Sequence, residues 1–376
     1  MIYFDNAATA GFRTYASTEI AVSVIKYLMA NPGRSGHRLS AKGAEIIFNA
    51  RSAIKNLFNA KSEDKIIFTQ NCTHALNQAI LGLITGGEVI TTVFEHNSML
   101  RPLWFLKEKG IIDLKIVDKK SEDYSIDILN AVTKNTSAIC ITGASNVTGE
   151  VMPYEKIANG VDKNIKIILD GAQLAGHKRI DLSNSNISIL CVPSHKALNG
   201  IIGSGAMILN TDDELTPLTF GGTGTETFSL SPSSVLPERY ETGTLNLPAI
   251  ASFYEGALFT DKNVDRFGSI LKEKTDYLIK ELEKIDEVKI YSRKNECGIV
   301  SFNILTFDSS LIANILSEEY DIAVRGGFHC APLMHKHLKT EEQGAVRVSL
   351  SPQNTMSELN VLLYAVKCII KKLKTS

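Results

Sequence analysis

The chain has 376 residues, 44% hydrophobic and 22% charged, the balance of a soluble globular protein too long for one ordinary core. A formal net charge of -1 gathers no polyanion, so neither nucleic acid nor a membrane surface is an expected partner. The six cysteines are scattered without a CxxC pair, which fits a reducing compartment and gives no disulfide framework and no metal site.

The first ten residues lack the basic start and apolar stretch of an export signal, and no run approaches membrane-spanning length, so the cytoplasm is the expected location. From about residue 66 to 210, short runs rich in branched residues alternate with stretches of helical period. The runs are Ile66 to Phe68, Glu88 to Thr92, Leu114 to Asp118, Ser137 to Thr142, Lys166 to Asp170 and Gly205 to Leu209, with one more strand ending just before Lys196. This alternation predicts an α/β fold, a mostly parallel sheet covered by helices on both faces, with ligand loops at the carboxyl ends of its strands. Beyond about residue 250 a long amphipathic segment, Ala251 to Ile285, leads into an α+β pattern. It comprises runs at Val288 to Tyr291 and Gly298 to Ile304, a helix near Ser310 to Tyr320, a strand at Arg347 to Leu350 and a last helix from Met356. No repeat or linker marks the boundary near 245.

The stretch IILDGAQ (Ile167 to Gln173) places Asp170 at the end of a buried strand, where a carboxylate needs a cation. CVPSHK (Cys191 to Lys196) ends the next strand with a lysine able to point into the same crevice. Pyridoxal phosphate answers both: its aldehyde condenses with the amine, and its protonated ring nitrogen is the cation. An ordinary Asp–Lys ion pair is the alternative. Thr73 and His74 open a helix after the first strand, where free N–H groups suit a phosphate, although Thr73 also reads as a plain N-cap. His96 follows the second strand and can lay its ring on a planar cofactor, and Asn146 follows the fourth, placed to donate to a ring oxygen. The loop GIIGSG (Gly200 to Gly205) also reads weakly as a dinucleotide loop, without the acidic residue such a unit needs.

The blocks YFDNAAT, NPGRSGHRLS, FTQNCTHALN, FEHNSMLRPL, ASNVTGE, LDGAQLAG, SHK, GGTGTE, ETGTLN, VRGGFHCAPLMH and VRVSLSPQNT follow one another from Tyr3 to the last helix. In that order and spacing they resemble the class V aminotransferase superfamily, in its cysteine desulfurase and selenocysteine lyase branch. The resemblance implies a fold type I pyridoxal phosphate enzyme, active as a homodimer. It implies a large domain at residues 13–245 with a seven-stranded sheet, and a smaller α+β domain from residues 1–12 and 246–376. It makes Lys196 the Schiff-base lysine, Asp170 the partner of the pyridine nitrogen, Gln173 a donor to the ring hydroxyl and His96 the stacking ring. Thr73, His74 and His195 would cradle the phosphate, and Thr223 would reach it from the neighbouring subunit. Arg347 would grip the substrate carboxylate through a bidentate pair, with Arg325 beside it and Asn146 touching both ring and carboxylate.

Cys330, in GGFHCAPLMH, corresponds to the nucleophile of the desulfurases, a thiolate that takes the substrate sulfur as a persulfide. His329, Arg325 and the glycine pair suggest an exposed, electropositive loop around it. Pro332 follows closely, so the loop is short, and either free sulfide with a reductant or an acceptor protein that inserts a thiol would discharge it. Two positions depart from the family: Pro193 stands where a serine is usual, with Ser194 next to it, and Ile201 replaces the usual proline. The expected reaction is L-cysteine to L-alanine. Its rivals are a selenocysteine lyase, another aminotransferase or beta-lyase in which Cys330 is incidental, and a non-catalytic sulfur-relay or scaffold protein that holds the cofactor.

Overall fold

The computed structural model describes residues 1–33, 35–226 and 228–375; Arg34, inside the NPGRSGHRLS block, lies outside them. The chain opens with β1 (Ile2–Tyr3), α1 (Tyr15–Tyr27) and α2 (Arg38–Phe58). Then come β2 (Ile66–Thr69), α3 (Cys72–Leu83), β3 (Glu88–Thr92), α4 (Asn97–Glu108), β4 (Asp113–Val117), α5 (Tyr124–Ala131), β5 (Thr136–Thr142), α6 (Tyr154–Asn159), β6 (Lys166–Asp170), β7 (Ile189–Pro193) and β8 (Gly205–Leu209).

These strands form a seven-stranded sheet in the order β2-β8-β7-β6-β5-β3-β4. β8 alone runs against its neighbours β2 and β7. Successive residues of each strand enter opposite cores, as the period of two requires. Ile67, Cys140, Ile168 and Cys191 pack with α3 and α4, whereas Ile66, Ile139, Ile141, Ile167 and Leu190 pack with α2, α5, α6 and the start of α7 (Leu247–Leu282). Helices thus cover both faces, as the alternating pattern predicts. The glycine-rich loop at Gly200–Gly205 leads into the antiparallel β8 rather than into a helix, which removes the dinucleotide reading.

The 36 residues of α7 span about 54 Å at 1.5 Å per residue. Its first turns contribute Ile250, Phe253 and Ala257 to the core beneath the sheet, and its last turns contribute Leu271, Leu278 and Leu282 to a second core. Two glycines sit where its backbone meets other chain: a Cβ on Gly256 would strike the Leu198 carbonyl, and one on Gly268 the His177 carbonyl. The second core lies under an antiparallel sheet of β9 (Val288–Ile290), β10 (Ile299–Ile304) and β12 (Val346–Ser349), in the order β12-β10-β9. α8 (Ser309–Tyr320) and α10 (Met356–Thr375) close it, and Phe4 from the amino terminus is buried in it. β11 (Ile322–Ala323) pairs in parallel with β1, and α9 (Pro332–Leu338) follows the Cys330 turn.

Candidate active site

Asp170 ends β6, Lys196 follows β7, His96 follows β3, Asn146 follows β5 and Thr73 opens α3 after β2, so the ends of five strands converge on one cavity of ≈ 240 Å³. Gln173, His195, Arg325 and Arg347 line it too. Asp170 is 2% exposed; its Oδ1 accepts the Ala172 N–H at 2.9 Å and lies 3.5 Å from the Cys72 thiol, which donates to it. Burial lowers the Lys196 amine below the ordinary lysine range against the pull of Asp170, while Arg347 and Arg325 push it further down.

Asn71, rather than Thr73, caps α3: its side chain accepts the His74 N–H at 2.9 Å. The remaining first-turn N–H groups have no partner inside the helix. Thr73 lines the Lys196 cavity, but His74 lines a different one beside Tyr240. Thr223 lies apart from both, in a cavity walled by α2.

His96 caps α4, its Nδ1 accepting the Ser98 N–H at 3.0 Å, which leaves the ring proton on Nε2. Burial lowers its pKa, with Asp170 opposing. His195 is pushed down to about 4 by burial, with Lys196 and Arg13 adding to it, so both rings are neutral near pH 7. Ser194 is turned away, donating to the carbonyls of Ile201 at 2.7 Å and Ser204 at 2.9 Å, while its neighbour Pro193 lines the cavity. Gln173 is anchored by its Nε2 to the Ala7 carbonyl at 3.1 Å.

Arg347 is 1% exposed and held by two bonds, Nη1 to the Asn146 carbonyl at 3.1 Å and Nη2 to Asp5 Oδ1 at 2.8 Å. Asn146 donates through Nδ2 to the His329 carbonyl at 2.7 Å. Asn146 Oδ1, His195 Nδ1 and Arg347 Nε are buried without partners, and all three belong to this cavity. Unmet polar groups of this kind call for a polar partner, a ligand or ordered water.

Cys330 is exposed and opens onto an outer cavity of ≈ 400 Å³ that shares Thr73, His96 and Ser98 with the inner one. Its turn is held at two points. His329 and Cys330 both adopt left-handed backbone, φ 51° and 56°. The Cys330 carbonyl accepts the Asn97 N–H at 2.8 Å, and the His329 ring bonds the Ala345 carbonyl at 2.9 Å. The exposure expected of Cys330 is present, but the contribution of His329 to a positive loop is not. That ring is 2% exposed, and burial drives its pKa down to about 2, with Arg347 adding to the effect, so it carries no charge.

Two residues of the site carry no sequence signal that singled them out. Asp5, in YFDNAAT, is the ion-pair partner of Arg347, and its position in the sequence 342 residues away conceals the contact. Glu95, next to His96, is wholly buried and accepts the Thr92 hydroxyl at 2.6 Å. A charged residue just before a helix reads as a surface group until the strand end is seen to be covered.

The chain is 31% identical over 378 residues to a Methanothermobacter thermautotrophicus protein named "Probable cysteine desulfurase", covering 96% of this chain and 92% of that one. A Pyrococcus abyssi protein with the same name is 29% identical over 393 residues, with 100% and 96% covered. In structure the chain matches the apo cysteine desulfurase of Thermococcus onnurineus with a TM-score of 0.91 at 26% identity, covering 99% of this chain and 95% of that one. With residues 2–362 also matching the family model of Aminotransferase class-V, the chain belongs to the class-V aminotransferase family.

Proposed function

We propose that this protein is a pyridoxal phosphate-dependent cysteine desulfurase that converts L-cysteine to L-alanine and receives the sulfur on Cys330. The observation that carries the reading is a cysteine on a tethered turn in the outer cavity, which shares Thr73, His96 and Ser98 with the cavity that holds Lys196, Asp170 and Arg347. The names of the relatives and of the solved structure support the same reaction.

The residues present fit the cofactor: a buried carboxylate, an amine of lowered basicity, the first turn of α3 and buried polar atoms without partners. When bound, pyridoxal phosphate supplies an aldehyde that condenses with amines and a protonated ring that draws electrons from the attached carbon skeleton. Asp170 would hold the ring nitrogen, Gln173 the ring hydroxyl and neutral His96 the ring face. Thr73, His74 and His195 would hold the phosphate, although His74 faces another cavity in the single chain. Thr223 would come from the second subunit of a homodimer.

Arg347, with Arg325 beside it, binds the substrate carboxylate, and Asn146 fixes the amino acid between carboxylate and ring. The Lys196 amine, its basicity lowered by burial, takes the proton from the substrate α-carbon. The Cys330 thiolate attacks the substrate sulfur, the carbon–sulfur bond breaks with its electron pair left on the substrate carbon, which is protonated to give alanine, and the enzyme keeps a Cys330 persulfide. A thiol, from a reductant or from an acceptor protein, then takes the outer sulfur and leaves Cys330 as a thiol. We assign residues 13–245 to the cofactor-binding domain, and residues 1–12 with 246–376 to the domain bearing Cys330 and Arg347. We place the enzyme in the cytoplasm; no helix among the described residues is long and apolar enough to cross a membrane.

The test uses cofactor-loaded protein with L-cysteine and a reductant, measuring alanine and sulfide, with L-selenocysteine run in parallel. Equal amounts of both products, lost in Cys330→Ser, are expected, together with borohydride labelling of the Lys196 peptide. Cysteine turnover that survives Cys330→Ser would mean an aminotransferase or another lyase.

A further inference from the structure

The amino-terminal segment is stitched into both halves of the molecule at the cavity. On one side the Ala10 N–H donates to the His195 carbonyl at 2.9 Å, next to Lys196. On the other, the Ala7 N–H donates to Ser349 Oγ at 2.9 Å, and Asp5 bridges to Ser349, two residues from Arg347. The Asp5 carbonyl accepts the Tyr3 hydroxyl at 3.2 Å and the Ala8 N–H at 3.1 Å, so its side chain leaves a fixed stretch of backbone.

Opposite it stand two arginines. Arg325 and Arg347 are backbone partners, Arg347 N donating to the Arg325 carbonyl at 2.8 Å, and both side chains line the cavity. Among the described residues Asp5 is the carboxylate paired with either one, and its bond to Arg347 Nη2 is 2.8 Å long. A buried guanidinium with like charge beside it needs such a counter-ion, and a planar fork held at both terminal nitrogens keeps its remaining donors in one plane.

We infer that Asp5 is a positioning and specificity-determining residue. It orients Arg347 and cancels one of two arginine charges, so the subsite accepts an amino acid with one carboxylate and discriminates against a second acidic group. The inference rests on the reading of Arg347 as the carboxylate grip. Without Asp5 the subsite would hold two uncompensated cations and favour a diacid.

Dissociation constants of L-alanine and L-aspartate are measured for the cofactor-loaded protein from the change in cofactor absorbance, in the wild type, Asp5→Asn and Asp5→Glu. In Asp5→Asn the ratio of the two constants shifts toward aspartate by about tenfold, the size of one charge-assisted interaction. Asp5→Glu, which keeps the charge, stays within about threefold of the wild-type ratio. An unchanged ratio in Asp5→Asn, or equal weakening of both ligands, overturns the inference, as does a shift in Asp5→Glu equal to that in Asp5→Asn. Absence of any amino-acid response in the wild type overturns it as well. If alanine binds but L-cysteine yields no alanine, the desulfurase reading fails while the selectivity ratio still decides the role of Asp5.

Discussion

Replacing Glu95 with glutamine separates the buried carboxyl next to His96 in the chain from every other titrating group. Glu95 has no exposed surface, its Oε1 accepts the Thr92 hydroxyl at 2.6 Å, and its Oε2 has no partner. Burial raises its pKa from an ordinary 4.5 to about 8, with Thr92 and the Thr142 backbone pulling down and Asp170 adding to the rise. The unfolded chain releases this proton near pH 4.5 while the folded chain keeps it, so between those values the unfolded state binds fewer protons and stability falls as pH rises. The loss is about 1.4 kcal/mol per pH unit, or about 2.7 kcal/mol between about pH 5.5 and about pH 7.5. Glutamine keeps the acceptor for Thr92 and has no proton to lose. The gap between Glu95→Gln and wild type therefore grows in favour of the variant by about that amount. For a chain of this length it corresponds to about 3 °C in melting temperature, from the usual unfolding entropy per residue. Thermal melts of both proteins at the two pH values read it directly, and the difference between proteins cancels every other ionisation. A gap that does not change with pH would refute the reasoning, because Glu95 would then be ionised in both states.

Cys330→Gly and Cys330→Ala both abolish sulfide release from L-cysteine. The glycine variant is more stable by about 1 kcal/mol, since φ 56° favours a residue without a Cβ, which paired denaturation curves measure. Asp170→Asn weakens cofactor retention at least tenfold in dialysis followed by absorbance, because a neutral amide replaces the buried carboxylate proposed to hold the cofactor nitrogen. Arg51→Ala leaves Glu241 buried without its bidentate partner, Nη1 to Oε1 at 2.9 Å and Nη2 to Oε2 at 2.5 Å, and costs about 3–5 kcal/mol in urea denaturation. Arg347→Lys raises the Michaelis constant for L-cysteine more than tenfold in steady-state kinetics, as a point charge cannot serve Asp5, the Asn146 carbonyl and a substrate at once.

Local pattern carried most of the sheet. Branched runs such as Lys166 to Asp170 and Glu88 to Thr92 became strands with the expected limits, because buried parallel strands are written as continuous apolar sequence. The two-residue strands Ile2–Tyr3 and Ile322–Ala323 have no such pattern and exist only as each other's partners. In the site, strand-end residues were legible because the fold class tells where strand ends meet. What escaped was set by contacts distant in the chain: the clasp of Asp5 on Arg347, the covered carboxyl of Glu95 and the neutral state of His329. Burial decides each of these, and burial is a property of the assembled chain.

The glycine at 256 illustrates a constraint that neither chemistry nor helix propensity reveals. In the third turn of α7, an engineer seeking a more robust protein would replace it with alanine for the gain of about 1 kcal/mol that a helix interior ordinarily returns. Here the added methyl would strike the carbonyl of Leu198, two residues from the lysine, and the loop would have to give way. Mutational tolerance at this position should resemble that of a reacting group, although Gly256 does not line the Lys196 cavity.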